Sequence, residues 1–230
     1  LLDLTSKIII AFSRSGHALL TAIGSGLLMM MVSFSLSAAP IPAAPSIAAT
    51  AYVLQDLKSG RILAEKNLIE RVEPASLTKL MTAYIVFYEL RSESIKLDDM
   101  VLISERAWRT QGSRMFIEVN KRVSVEKLLK GMIIQSGNDA SVALAEYVAG
   151  SEESFAALMN HYAQKLGMTN TQFINSTGMP DPGHFTTAHD LAVLTRAIIN
   201  EFPDYYTWYS IKEFTFNGIK QYNRNKMLWR

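Results

Sequence analysis

An apolar helix headed by a serine and a lysine must be buried in any fold that this chain adopts. Ser76-Leu77-Thr78-Lys79 opens the segment, and Pro74 lies two residues upstream, where proline suits a helix start. Apolar side chains then recur at helical spacing, at Leu80, Ala83, Tyr84, Phe87 and Leu90. We predict a helix from about Ser76 to about Arg91 whose apolar stripe faces a core.

The serine and the lysine of this segment are suited to act together. A serine hydroxyl is a weak nucleophile at neutral pH and needs a base within hydrogen-bond reach. A lysine three residues along a helix lies on the same face, one turn away. Burial would lower the pKa of its amine by desolvation and favour the neutral form that a base must have. Ser76 is therefore a candidate nucleophile and Lys79 its candidate base.

The same spacing occurs again at Ser124-Val125-Glu126-Lys127, so the pattern is weak evidence by itself. Here Ser124 is better explained as the cap of a helix that continues through Leu128 and Leu129, with Lys127 in solvent. The first copy therefore needs a partner elsewhere in the chain.

Ser136-Gly137-Asn138 supplies that partner and is the only Ser-x-Asn in the chain. Gly137 permits a tight turn between two predicted helices, so both polar side chains can point to one side. Ser136 could relay a proton from Lys79 to a leaving amine, and the Asn138 amide could hold a substrate carbonyl. The alternative is an ordinary turn with Asn138 or Asp139 as N-cap; the upstream Ser-x-x-Lys favours a site.

The other predicted elements place helices between two hairpins. The hairpin strands are predicted at residues 51–54, 61–64, 213–216 and 219–222, the last two around Asn217-Gly218. Further helices are predicted over 123–134, 139–148, 151–167 and 187–200, the last opened by a capping box of Thr187 and Asp190. This order indicates an α+β fold with helices packed on an antiparallel sheet.

The first fifty residues have a different character. Residues 18–39 carry no charge, Lys7 and Arg14 precede them, and small residues follow at 35–39. We predict a secretory signal peptide over residues 1–38, with a retained transmembrane anchor as the alternative. Residues 39–50 hold three prolines and are predicted to be an extended linker.

Composition excludes several other classes of protein. The formal charge of +2 is too small for a nucleic-acid partner, and without cysteine there are no disulfides and no thiolate chemistry. His161, His184 and His189 lack metal-ligand spacing. We therefore predict no metal and no cofactor.

Two segments resemble a known family. Pro74 to Thr82 is similar to the active-site helix of the low-molecular-mass penicillin-binding proteins, the serine-type D-alanyl-D-alanine carboxypeptidases, and Gln135 to Ala140 matches their second motif. Flanking stretches at 112–116 and 213–219 agree, so the resemblance runs from about Ala51 to Arg230. It implies a penicillin-binding-protein/β-lactamase-like fold.

The resemblance also implies a reaction. Ser76 would form an acyl-enzyme with a peptidoglycan stem peptide that ends in D-Ala-D-Ala, Lys79 and Ser136 would move protons, and Asn138 would bind substrate. β-Lactam antibiotics would acylate the same serine. The protein would be exported, to the periplasm or the outer face of the cytoplasmic membrane, and the full-length protein would associate with that membrane.

The third motif of the family, Lys-Thr-Gly, is missing from the chain. Lys58-Ser59-Gly60 precedes Ser76, whereas the family places this motif on a strand after Ser-x-Asn, and a hairpin turn explains it fully. We therefore expect a carboxypeptidase domain over 51–230 that is incomplete at its C-terminus, with little activity and poor penicillin binding as it stands.

Two other functions compete with this interpretation. A class A β-lactamase needs a glutamate in a loop after the second motif, and no glutamate occurs between Thr169 and Thr186. A non-catalytic, membrane-tethered wall-binding homologue is the other alternative. Retention of all four site residues argues against it, since such a protein has no chemical need for them.

Overall fold

The computed structural model describes residues 47–230. The predicted signal peptide and most of the predicted linker lie outside the described residues. Within the described range, each helix is too short or too polar to cross a bilayer.

Helices and short strands alternate along this range. The helices are α1 Lys79–Arg91, α2 Glu105–Arg109, α3 Val125–Gln135, α4 Asn138–Ala149, α5 Glu152–Leu166, α6 Ala188–Glu201 and α7 Pro203–Tyr206. The strands are β1 Tyr52–Gln55, β2 Ile62–Lys66, β3 Met100–Leu102, β4 Arg122–Ser124, β5 Glu213–Phe216 and β6 Ile219–Tyr222. Three 3-10 turns add Ala75–Thr78, Thr207–Ser210 and Lys226–Trp229.

Helix α1 occupies the centre of the unit formed by residues 47–230. It packs against α3, α4, α5 and α6 together, so its neighbours surround it. Side chains without any solvent exposure therefore lie on every face: Met81, Thr82, Ala83, Ile85, Val86 and Phe87. Of the predicted apolar stripe, Ala83, Tyr84, Phe87 and Leu90 are buried, but burial extends beyond it to every face of the helix. The helix ends at Arg91 as predicted, whereas the α-helix begins at Lys79 rather than at Ser76.

The strands form three separate antiparallel hairpins, β1–β2, β3–β4 and β5–β6. The α+β class is confirmed, but the described residues contain no single sheet on which all the helices pack. In the last hairpin Asn217 and Gly218 both have positive φ, 47° and 76°, as a type I′ turn requires. Strands β3 and β4 were not predicted, and Val123, the predicted start of a helix, lies in β4.

The predicted helix caps are mostly confirmed. Ser124, Ser151 and Thr187 accept hydrogen bonds from the backbone N–H three residues on. The capping box at Thr187 forms only half of its pattern. The Asp190 carboxylate instead accepts from the Asn170 N–H and the Thr171 hydroxyl, which holds the preceding loop against α6.

Candidate active site

Ser76 lies on the 3-10 turn that leads into α1, not on the α-helix itself. Ala75, just before it, has φ of 45°, a conformation that costs energy for any residue but glycine. The turn leaves Ser76 exposed, while the next turn of the helix carries Lys79 into the interior. The Lys79 ammonium nitrogen donates to Ser76 Oγ over 3.2 Å, so the structure brings the predicted nucleophile and base together.

The surroundings of Lys79 favour its neutral amine, which is the form that a base needs. Its side chain is 5% exposed, and its Nζ also donates to the Thr177 carbonyl over 2.7 Å. Burial, with a smaller contribution from the positive charge of Arg224, lowers the pKa of Lys79 to about 8. A substantial fraction of the amine is therefore neutral near physiological pH.

Ser136 ends α3 in a left-handed conformation, with φ of 64°. Its Oγ is buried and has no hydrogen-bond partner among the described residues. A buried hydroxyl without a partner is unusual and costs about 1–3 kcal/mol. The structure does not join it to Lys79 by a hydrogen bond, so its relay role stays a prediction.

Asn138 is the first residue of α4 and is buried. Its backbone N–H donates to the Ser113 carbonyl, and its Nδ2 donates to the Gln111 carbonyl over 2.7 Å. The Met179 sulfur lies 3.6 Å from the same Nδ2. Both amide hydrogens therefore face protein atoms, and a substrate carbonyl would have to displace Met179 to reach one.

A glycine makes this packing possible. Gly112 has φ of +89°, and a Cβ placed on it would lie 2.6 Å from Asn138 Nδ2. The loop can therefore approach Asn138 only because residue 112 lacks a side chain.

The loop 174–184 completes the surroundings of Lys79, and the sequence analysis missed it. The Ser176 carbonyl accepts from Thr82 and Ser141, both over 2.7 Å, and the Glu152 carboxylate accepts from the Ser176 N–H and hydroxyl. The next carbonyl, that of Thr177, is thereby fixed on Lys79. The loop has no apolar periodicity; its one signal is Asn175-Ser176-Thr177-Gly178, a cluster of turn-forming residues.

Gly178 shows how closely this loop approaches the 3-10 turn Ala75–Thr78, which carries the candidate nucleophile Ser76 and is called the nucleophile turn below. It has φ of +85°, and a Cβ placed on it would lie 1.7 Å from the Ala75 carbonyl oxygen. Only glycine fits against the backbone that immediately precedes Ser76.

The second Ser-x-x-Lys and the Lys-Ser-Gly segment have the local roles that the sequence indicated. Ser124 Oγ accepts from the Lys127 N–H, so the second Ser-x-x-Lys is a helix cap. Ser59 donates to Asp56 in the turn between β1 and β2, so Lys58-Ser59-Gly60 is a hairpin turn. Among residues 47–230, no group of three or more acidic, histidine or cysteine side chains is placed to hold a metal ion.

Comparison with known proteins agrees with this geometry. The family model described as D-alanyl-D-alanine carboxypeptidase matches residues 38–230. The D-alanyl-D-alanine carboxypeptidase DacC of Escherichia coli is 50% identical over 214 residues, which are 90% of this chain and 54% of DacC. The chain thus spans about half the length of the curated relatives that it matches.

Solved structures place the fold in the same group. The crystal structure of penicillin binding protein 5 from Haemophilus influenzae has a TM-score of 0.79 and 46% identity, and the match covers 81% of this chain and 55% of that one. Penicillin-Binding Protein D2 from Listeria monocytogenes, in its ampicillin-bound form, has a TM-score of 0.73 and 27% identity, over 81% and 76% of the two chains. The chain belongs to the D-alanyl-D-alanine carboxypeptidase family.

Proposed function

We propose that this chain carries the acylating part of a serine D-Ala-D-Ala carboxypeptidase that acts on peptidoglycan stem peptides. One observation supports it most strongly: a buried lysine of lowered pKa donates to the exposed hydroxyl of Ser76. The family supplies the substrate class, since its name is D-alanyl-D-alanine carboxypeptidase.

The proposed reaction has two steps. Ser76 Oγ attacks the carbonyl between the two D-alanines as its proton passes to the neutral Lys79 amine. The C–N bond then breaks, the proton returns through Ser136 to the leaving D-alanine amine, and an acyl-enzyme remains. Water adds to the acyl carbon as one of its protons passes to Lys79, and the bond to Ser76 Oγ then breaks as Lys79 gives that proton to Oγ, which releases the shortened peptide and restores free Ser76 and neutral Lys79.

Ser136 and Asn138 are proposed partners in this reaction. Ser136 Oγ is buried without a hydrogen bond, so a substrate amine would give it a partner that it lacks in the described residues. Asn138 would hold the backbone carbonyl of the peptide once Met179 moves aside.

The loop after the second motif does not support the β-lactamase alternative, because it contains no glutamate. The glutamate nearest to that loop in the hydrogen-bond network is Glu152, and its carboxylate is taken up by Ser176 and Arg106. It therefore has no free position from which to activate a hydrolytic water. We keep β-lactamase and non-catalytic wall binding as alternatives that the experiment below distinguishes.

The domain arrangement is part of the proposal. We propose that residues 1–38 export the protein, that 39–50 link the export signal to the domain, and that a Lys-Thr-Gly strand beyond Arg230 completes the site. Activity at the outer face of the bacterial membrane and association with that membrane follow from the same proposal, as does inhibition by β-lactams.

The test is covalent labelling of the complete gene product with a fluorescent penicillin. We expect stable acylation that maps to Ser76 and disappears in Ser76→Ala, with release of D-alanine from a D-Ala-D-Ala peptide. Ser124→Ala, the matched change in the second Ser-x-x-Lys, should retain both. Rapid turnover of penicillin without peptide cleavage would favour a β-lactamase, and the absence of both reactions would favour a wall-binding homologue.

A further inference from the structure

His184 is a buried histidine to which the proposed reaction gives no role. It lies at the end of loop 174–184 with 3% of its surface exposed. Its Nε2 is 2.8 Å from Thr78 Oγ1, on the turn between Ser76 and Lys79. Its Nδ1 lies 3.2 Å from the Ile174 backbone nitrogen, at the start of the same loop.

These two contacts define the protonation of the ring. The Ile174 N–H can only donate, so Nδ1 must be the acceptor and carry no hydrogen. In a neutral imidazole the hydrogen then resides on Nε2, which donates to the Thr78 hydroxyl. Burial lowers the pKa of His184, in agreement with a neutral ring.

The ring thereby fastens the two ends of the loop to the nucleophile turn. Ile174 begins the loop, His184 ends it, and Thr78 belongs to the 3-10 turn that carries Ser76. Between the two ends, Gly178 rests on the Ala75 backbone and the Thr177 carbonyl holds Lys79. If His184 released Thr78, the loop would stay joined to α1 through Ser176 and Thr82, but the turn that carries Ser76 would lose its side-chain hydrogen bond to the loop.

We propose that His184 is a positioning residue for acylation: through Thr78 it holds the Ser76 turn in register with the carbonyl that orients Lys79. The inference rests on the proposed function, because it assigns a part in the acylation of Ser76. Misplacing a base by about 1 Å can cost about 10²-fold in rate, so a contact away from the reacting atoms has a measurable effect.

Two amide substitutions separate the two contacts of the ring. The glutamine side chain reaches the position of Nε2, so His184→Gln retains a donor to Thr78 and loses the acceptor for Ile174. The shorter asparagine reaches only the position of Nδ1, so His184→Asn retains the Ile174 contact and loses Thr78. The complementary pair on the turn is Thr78→Ser, which keeps the hydroxyl, and Thr78→Val, which removes it.

The measurement is the acylation of the complete gene product by fluorescent penicillin, resolved into initial non-covalent affinity and acylation rate constant. We expect His184→Asn and Thr78→Val to lower the rate constant by about tenfold or more with unchanged affinity. His184→Gln and Thr78→Ser should remain within about threefold of the wild type. All rates are taken below the unfolding temperature of each variant, so that loss of stability does not enter.

Equal rate constants for His184→Asn and the wild type would overturn the proposal, and so would loss of rate in both amide variants alike, which a purely structural role predicts. Failure of the proposed function gives a different result, since the wild type itself would not be acylated. In that event, hydrogen exchange still tests the contacts. The amide of Ile174 should exchange faster in His184→Gln, which loses its acceptor, and the amides of residues 176–178 should exchange faster in His184→Asn, which loses the link to Thr78; the reverse order would contradict the proposal.

Discussion

At the scale of single residues, the site depends on one buried amine. Lys79 has two hydrogen-bond acceptors, one on the substrate-facing side at Ser76 Oγ and one behind it at the Thr177 carbonyl. Both are neutral oxygens, which do little to offset the cost of burying a charged ammonium. The burial that lowers the pKa of Lys79, and so suits it to the proposed role of base, therefore also lowers the stability of the fold.

That cost predicts a pH dependence of stability. The pKa of Lys79 is 10.5 when exposed and about 8 in the fold, so between these values the unfolded chain binds a proton that the folded chain lacks. The free energy of unfolding should therefore rise with pH across this window, by up to about 3 kcal/mol. Below about pH 8 both states are protonated, and this contribution to the slope vanishes.

Chemical denaturation of the wild type and Lys79→Met between pH 7 and 10.5 measures the effect, because other titrating groups are common to both. The wild type should gain stability relative to the variant as pH rises. Lys127→Met removes an exposed lysine of the second Ser-x-x-Lys and should follow the wild type. A constant difference between wild type and Lys79→Met would contradict the lowered pKa.

At the scale of elements, Asp139 joins α4 to the loop 111–117. Its fully buried carboxylate accepts from the backbone N–H groups of Met115, Phe116 and Ile117 at 2.8–3.2 Å, and from that of Ala140. The same loop supplies the Gln111 carbonyl that holds Asn138. One carboxylate thus positions the segment that lies against the second motif.

Asp139→Asn should loosen this segment, because an amide NH₂ would face backbone N–H donors that the carboxylate oxygens now accept. We expect a loss of about 2–4 kcal/mol in the free energy of unfolding. Hydrogen exchange should accelerate at the amides of residues 115–117. Asp204→Asn, an exposed carboxylate in α7, is the matched control and should change neither quantity. Unchanged exchange at these three amides would show that the carboxylate is not what holds the loop.

Sequence patterns predicted the elements whose ends carry local signals. Ser151 and Gly167 bound α5, and Asn217-Gly218 turns the last hairpin, because caps and turns depend on residues close in sequence. The pair Ser76 and Lys79 was predictable for the same reason, since one helical turn separates them.

Contacts between distant segments were not predictable in this way. The Thr177 carbonyl reaches Lys79 across 98 positions, and His184 reaches Thr78 across 106. Backbone carbonyls have no sequence signature, and nothing in the sequence around His184 indicates Thr78 as its partner. Strands β3 and β4, of three residues each, were too short for an alternating pattern to be recognised.

At the scale of the whole molecule, the candidate nucleophile Ser76 and its candidate base Lys79 lie at the N-terminal end of α1, and Asn138 of the Ser-x-Asn turn contacts Met179 in the loop that holds Lys79. In the proposed reaction the backbone N–H of Ser76 is one oxyanion donor, and none of the three described hairpins contains Lys-Thr-Gly. Acyl transfer uses two such donors, and loss of one costs about 10²–10³ in rate. The proposed third motif would supply the second donor and a positive charge for the substrate carboxylate.

The chain of residues 1–230 should therefore be acylated by fluorescent penicillin at least about 10²-fold more slowly than the complete gene product. The expected difference comes only from the second oxyanion donor and the positive charge that the proposed Lys-Thr-Gly strand supplies. Ser76, Lys79 and the Ser-x-Asn turn should therefore be intact in both proteins. The lowered pKa of Lys79, read from the pH dependence of unfolding relative to Lys79→Met, checks this and separates an incomplete site from a misfolded one. Equal acylation rates for the two proteins would mean that residues 47–230 already contain every group that the reaction needs, and the proposed role of a Lys-Thr-Gly strand would then be wrong.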